Sequence, residues 1–443
     1  MFSLLQLILV FFLLSFMSHE HEAIAAWVPS YTSYVFPVNK HTDATRPLYS
    51  IQIMTQYVNM QFLHANFLID IEAPFIWHDC ILQWNIYPGS CPSDTLWLCT
   101  SPVSCEEYQC TDVRTTYSYE NPNSSCPPVT NSSTLPGWGY CTCPVNVVNP
   151  VTGSCGQALL NYDDFSVNTS NGRQPFYDFS VVLPNAACAP ASSFQSFPAN
   201  VTGVMALSSS RYAFPAYLYE PLKRIIALCL PSTLSAPGVL LYGNGPYYLL
   251  PQSAVDVRSL LSYTALLKHA DSFGYFIGVD AIVIKNKFID VPVNTSTKLS
   301  TIESYTTLRT DIYNHVVQRF LLVTKHIRRA KPVEPFGLCF STTPATRVTT
   351  SLKVPDIHLK LRDGKRWTIS EANSIKQITK DVACLALVDG GATSEPAIVI
   401  GTFQFEDNFL VFDLENSTFG FSSSLLRRNT SCASFNFTLT NMS

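Results

Sequence analysis

Two carboxylates, Asp70 and Glu72, stand two residues apart inside the apolar run "FLIDIEAPFIW" (Phe67 to Trp77). Such a run reads as a strand that carries an acid into a cleft. Two carboxylates held about 3 Å apart share one proton, because both cannot ionise, and so can activate water for peptide hydrolysis. A dyad of this kind needs each acid on a turn followed by a small hydroxyl residue and a glycine. The hydroxyl ties the two turns together, and the glycine lets them approach. Here Asp70 is followed by Ile71 and Glu72, so the aspartate is present but the hydroxyl and the glycine are not. The competing reading is a half-buried strand whose Asp70 merely caps a turn. A second stretch, "TKLSTIESYTTL", places apolar residues around a similar would-be turn, and "VTGVMAL" and "AIVIGTF" form another matching pair, each apolar around a Gly. Two related lobes would account for both echoes.

The elements that must hold these turns read as β-rich. Runs such as "YSIQIMTQY", "YDFSVVL", "GVLLYG", "FIGVDAIVI", "DIHLKL", "AIVIG" and "FLVFDL" are rich in Val, Ile, Phe and Tyr and are punctuated by Gly, Pro, Asn and Asp. Helical periodicity predicts two helices. One is Pro215 to Leu230; the other is Arg309 to Ile327, with Thr310 or Asp311 as N-cap. "SEANSI" reads as a short turn.

The 443 residues allow a large core, and a net charge of -4 gives no electrostatic case for nucleic acid or an anionic membrane. The start is apolar from Leu4 to Phe16 and then reaches the small-residue site Ala23-Ile24-Ala25, a signal-peptide pattern over residues 1–25. No later segment is long and apolar enough to span a bilayer. Fourteen cysteines fit an oxidising compartment. Asn-x-Ser/Thr sequons recur at Asn123, Asn131, Asn168, Asn200, Asn294, Asn416, Asn429, Asn436 and Asn441, which points to a eukaryotic secretory route. Nine of the cysteines crowd between Cys80 and Cys155 among Pro, Asn, Ser and Thr. Thiolate pairs there could bind zinc, but the secretory setting favours a disulfide-stapled insertion, with pairings that spacing does not reveal. The nine His are scattered and form no metal-ligand pair. Neither a metal nor another cofactor is expected.

Over nearly its whole mature length the chain resembles the plant pepsin-like group without protease activity. That group comprises the wheat-type (TAXI-type) xylanase inhibitors, the extracellular dermal glycoproteins and the basic 7S globulins. The resemblance rests on "LYGNGPYYLLP", "YFIGVDAIVIKNKFI", "STIESYTTLRTDIY", "CLALVDGG", "IVIGTFQFEDNFLVFDLENSTFGFSSSLL" and "CASFNFT", taken in order. It implies an all-β, bilobal pepsin-like fold with a central cleft. The N-terminal lobe would span residues 26–250, with the Cys-rich insertion at 80–155, and the C-terminal lobe residues 251–443. Active pepsin-like enzymes carry Asp-Thr-Gly and Asp-Ser/Thr-Gly at their two sites. Here these correspond to Asp70-Ile71-Glu72 and Ser300-Thr301-Ile302, so the second carboxylate is missing. Glu303 is longer and follows the turn rather than heading it. Ile302 and Glu72 add bulk where the loops should meet. In "CGQALLNYDDFSV", Tyr162 is the candidate for the flap tyrosine of active members.

The expectation is therefore a catalytically inactive protein. Inhibitors of this group act through C-terminal loops that push a basic or imidazole side chain into the carboxylate-lined cleft of a glycoside hydrolase. In xylanase-inhibiting relatives a His lies four residues before the late Cys; here, as in endoglucanase-inhibiting relatives, Arg428 holds that place. A second Arg of those relatives matches Arg347. A guanidinium can pair with a carboxylate through two hydrogen bonds and stays charged. The sequon at Asn429 would set a glycan beside Arg428. The basic run "KHIRRAKP" reads as a solvated helix end. The expected partner is a microbial cell-wall glycoside hydrolase, of xyloglucan endoglucanase or xylanase type, bound by a monomer in the plant cell wall. An aspartic endopeptidase and a storage or peptide-binding globulin are the alternatives.

Overall fold

The computed structural model describes residues 31–44, 46–56, 62–80, 101–117, 126, 141–218, 222–249, 254–293, 295–342 and 352–441. Residues 1–25 and Arg347 lie outside these, as do the sequons at Asn123, Asn131 and Asn294.

Strands dominate. Among the described residues, one sheet has 16 strands, accompanied by a 6-stranded and two 4-stranded sheets. The large sheet draws on both ends of the chain: strand Ile225–Cys229 pairs antiparallel with Gly238–Tyr242 on one side and with Phe409–Asp413 on the other. Every residue of Ile225–Cys229 is buried. This corrects the helix expected over 215–230. Its first turn is a short 3-10 segment, Phe214–Tyr217, and its apolar end is a strand covered on both faces. Such a strand shows a continuous apolar run instead of alternation, and that run is easily taken for a helical face. The expected helix near 309–327 forms as Thr310–Val323, burying Ile312, Tyr313, Val316 and Phe320. The N-cap position is Arg309, one residue earlier than expected, and its side chain makes no cap bond. The Thr310 hydroxyl instead donates to Asp389 (2.6 Å). Lys325, Arg328 and Arg329 beyond the helix are exposed, in keeping with a solvated end. The stretch read as a turn is a four-residue helix, Glu371–Ser374.

The two sequence echoes are real in space. Strand Phe62–Asp70 lies parallel to Val201–Ala206, with Asp70 opposite Ala206, and Val201–Ala206 pairs antiparallel with Ile76–Asp79. In the second half Thr297–Leu299 lies parallel to Ile398–Ile400, which pairs antiparallel with Thr306–Leu308. The same three-strand frame is thus built twice, each time around one turn. The two glycines of the echo differ in position but share a cause. A Cβ at Gly203 would stand 2.5 Å from the Phe67 ring, and one at Gly401 would stand 2.7 Å from the Glu303 carbonyl. Neither site tolerates a side chain.

Each described cysteine is in a disulfide. Cys105–Cys141, Cys110–Cys143 and Cys126–Cys155 staple the insertion, and Cys80–Cys188 ties it to the sheet. Cys229–Cys432 and Cys339–Cys384 lock the C-terminal half. These are disulfides, not zinc thiolates, as the oxidising compartment suggested.

Candidate functional site

The two turns meet through backbone and side chain. Asp70 closes the first: its Oδ1 accepts from the N–H groups of Glu72 (2.8 Å) and Ala73 (3.2 Å). Ser300 closes the second in the same way, its Oγ accepting from Ile302 (3.2 Å) and Glu303 (3.0 Å). Asp70 is 6% exposed and Ser300 7%. Burial pushes the Asp70 carboxyl up to about 6, and the charge of Glu72 adds to this; the N–H bonds of Glu72 and Ala73 and the charge of Lys298 oppose it. Ser300 occupies the corresponding head of its turn with a hydroxyl, which does not ionise.

One residue ties the turns together. The Thr301 hydroxyl donates to the Ile69 carbonyl (2.8 Å) and accepts from the Ile71 N–H (3.3 Å). Ile71, its counterpart in the first turn, has no hydroxyl to return the bond and is instead buried in the core with Ile302.

Glu72, read in the sequence as added bulk, and Glu303, read as an acid that follows its turn, both have ion-pair partners distant in the chain. Glu72 pairs with Lys298 Nζ at 2.5 Å and accepts from the Ser272 hydroxyl (3.2 Å). Glu303 pairs with Arg46 at 3.1 Å, and the same guanidinium donates to the carbonyls of Pro150 (3.5 Å) and Val151 (3.3 Å). Glu303 therefore offers its carboxylate to Arg46, and the turn's N–H groups are held by Ser300. The Tyr275 hydroxyl donates to the Leu207 carbonyl (2.6 Å), adding a buried tie beside the first turn. Partners this far apart in the chain leave no local signal. Only the charge of Glu72, at a position where active members carry glycine, could have pointed to its partner.

Tyr162, the flap candidate, ends strand Cys155–Tyr162, and its hydroxyl donates to Glu107 of the Cys-rich insertion. That bond first, and burial second, push its phenol up to about 12. Its hydroxyl contact is with the insertion.

His78, Cys80 and Asp163 gather their ligand atoms closely enough to suggest a metal. The Cys80 sulfur, however, is bonded to Cys188, and His78 Nε2 and Asp163 Oδ2 bond each other at 2.5 Å. A disulfide sulfur is no thiolate, so the trio reduces to a buried His–Asp pair.

Arg428 ends the short 3-10 turn Leu425–Arg428 and is exposed. The turn has a firm base. Leu425 is buried, Asn429 closes it in the left-handed conformation (φ 55°), and Cys432 is bonded to Cys229. The Cys432 N–H also donates to Asp407 Oδ1 (2.9 Å). Arg427 pairs with Asp356 at 2.6 Å, whereas Arg428 has no partner among the described residues. Asn429 is exposed beside it, as are Asn200, Asn416 and Asn441. Asn168 and Asn436 are half-buried, their amides donating to the Phe176 carbonyl (3.2 Å) and to Gln174 (3.4 Å).

Residues 52–244 match the xylanase inhibitor N-terminal family and residues 274–423 the xylanase inhibitor C-terminal family. A "Probable aspartic proteinase GIP2" of Nicotiana benthamiana is 31% identical, covering 91% of this chain and 92% of its own length. "Gamma conglutin 1" of Prunus dulcis is 35% identical over 89% of this chain and 88% of its own. Among solved structures, that titled "Crystal structure of edgp" superposes with a TM-score of 0.77 at 31% identity, covering 92% of this chain and 99% of its own. Lupine conglutin gamma superposes with a TM-score of 0.76 at 26% identity, covering 92% and 100%. No described helix is long and apolar enough to cross a membrane. With an all-β, twice-built frame around two opposed turns, the chain belongs to the TAXI-type xylanase-inhibitor family of pepsin-like proteins.

Proposed function

We propose that this is a secreted, catalytically inactive relative of the aspartic peptidases that inhibits microbial cell-wall glycoside hydrolases in plant defence. The observation that carries the reading is Ser300. It heads the second turn where an active dyad needs its other acid, and its oxygen is engaged by two backbone N–H groups. A neutral hydroxyl cannot share a proton with Asp70, so water activation by a dyad has no basis here. Inhibition would run through the C-terminal half. Arg428 is a charged side chain with no partner among the described residues, on a disulfide-anchored turn, a form suited to a carboxylate-lined cleft. The xylanase inhibitor families that cover the chain favour such a target. Arg347 would be the second contact, and a glycan at Asn429 would weaken docking.

The test is residual activity of microbial xyloglucan endoglucanases and xylanases mixed with the purified protein, before and after removal of N-glycans. Inhibition at micromolar protein that falls at least tenfold in Arg428→Ala is the expected result. No inhibition in either form defeats the reading. A storage globulin is the second reading, favoured by the likeness to gamma conglutins; it predicts abundance in seed without inhibition.

A further inference from the structure

Seven residues beyond Asp70, the strand Ile76–Asp79 carries Trp77 into a cavity of about 460 Å³. One wall is the hairpin turn between strands Pro144–Val148 and Cys155–Tyr162; the other is the 3-10 segment Ala191–Phe194 with its flanks. The volume is that of a small-molecule site, yet such sites are mostly apolar. This lining mixes hydroxyl and amide side chains, among them Thr152, Gln157, Ser193 and Gln195, with the apolar Trp77, Val147 and Pro190, and no charged side chain is among its described residues.

The walls are fixed. The Asn149 amide donates across the cavity to the Ser193 carbonyl (2.9 Å) and the Ser196 hydroxyl (2.9 Å), while its Oδ1 accepts from Val151 (2.9 Å) and Thr152 (3.2 Å). Trp77 is clamped by ring contact with Phe194 at 5.1 Å. It is 3% exposed; its indole N–H has no protein partner among the described residues but is not shut off from the cavity's solvent. The Gln157 and Gln195 amides have no side-chain partner among the described residues either.

We propose that this cavity binds a neutral saccharide of one to three sugar units. A ligand suited to this lining offers several hydrogen-bonding groups beside apolar faces, and no charge. It can also accept from the Trp77 indole N–H, which has no protein partner among the described residues. Sugar hydroxyls meet all of these demands. A charged ligand finds no counterion, and an apolar one would strand the amides and hydroxyls. Sugar binding exchanges water bonds for protein bonds with modest gain, so an affinity near millimolar or tighter is expected. The inference does not depend on inhibition of glycoside hydrolases, and nothing in Arg428 bears on it.

The experiment is NMR titration of the full glycan-trimmed protein, following the indole N–H signals. The probes are cellotriose, xylotriose, trigalacturonic acid and a neutral Ser/Gln-rich tripeptide. A shift of the Trp77 indole signal by a neutral trisaccharide is expected, with binding weakened at least fivefold in Gln157→Ala and in Gln195→Ala. The signal is assigned by its loss in Trp77→Phe. The two Gln variants alter surface amides, and their unchanged amide spectrum certifies the fold. No shift up to 20 mM sugar, equal binding in the Gln variants, or preference for the acidic sugar or the peptide would overturn the proposal.

Discussion

The turn headed by Asp70 and the turn headed by Ser300 share a frame and differ in chemistry. Each ends a strand held parallel to a second strand, which in turn pairs antiparallel with a third. Each is closed by one side-chain oxygen accepting two backbone N–H groups. Those bonds are what the turn needs to fold, and a serine supplies them as well as an aspartate does. Proton sharing is what a peptidase needs, and only a second carboxylate supplies it. The structural duty of the acid is thus met at both turns, and under the proposed function its chemical duty is met at neither. The tie between the turns is one-sided too: Thr301 makes both of its bonds, and Ile71 makes none of that kind.

This asymmetry can be broken at its strongest point first. Thr301→Val keeps the shape but leaves the Ile71 N–H and the Ile69 carbonyl without the hydroxyl. A loss of roughly 2–4 kcal/mol in urea unfolding at neutral pH is expected, because two buried groups lose a partner. Next comes Asp70. Its folded carboxyl lies near 6, above the ordinary 3.8, so the folded state holds the proton more tightly than the unfolded chain. Its contribution to stability is most favourable below about pH 4. It is lost as pH rises through 6, above which a buried charge must be carried. Asp70→Asn removes that charge and keeps an acceptor oxygen. It should gain about 1–3 kcal/mol at pH 7 and close to nothing at pH 4, measured as the shift in urea midpoint at the two pH values. Ser300→Ala should cost about 1–2 kcal/mol by leaving two turn N–H groups unpaired, equally at pH 4 and pH 7. Only the first turn should show a pH dependence. The smallest effect belongs to Lys298→Ala. Its partner Glu72 is 42% exposed, so thermal unfolding in low and high salt should show a loss below about 1 kcal/mol, vanishing in high salt.

Much of the frame was legible because strands built from Val, Ile and aromatic residues announce themselves, and because the two turns repeat each other's surroundings. That Ser300 heads the second turn as Asp70 heads the first was legible for the same reason. The helix expected over 215–230 failed where burial on both faces erased the alternation that marks a strand. Two further features lay beyond reach. Glu72 reads locally as an intruding charge, and only the fold brings Lys298 and Ser272 to it. The hydroxyl- and amide-rich cavity is assembled from "NPVTGSCGQ" and "PASSFQS", which look like ordinary loops until Trp77 is placed between them.

The central claim is that the frame of a peptidase persists without its chemistry. The most direct measurement is cleavage of a denatured protein substrate between pH 3 and 6, with and without pepstatin, by the wild-type protein and by Asp70→Ala. The account predicts no cleavage above that of the Asp70→Ala control at any pH. Pepstatin-sensitive cleavage that disappears in Asp70→Ala would contradict it.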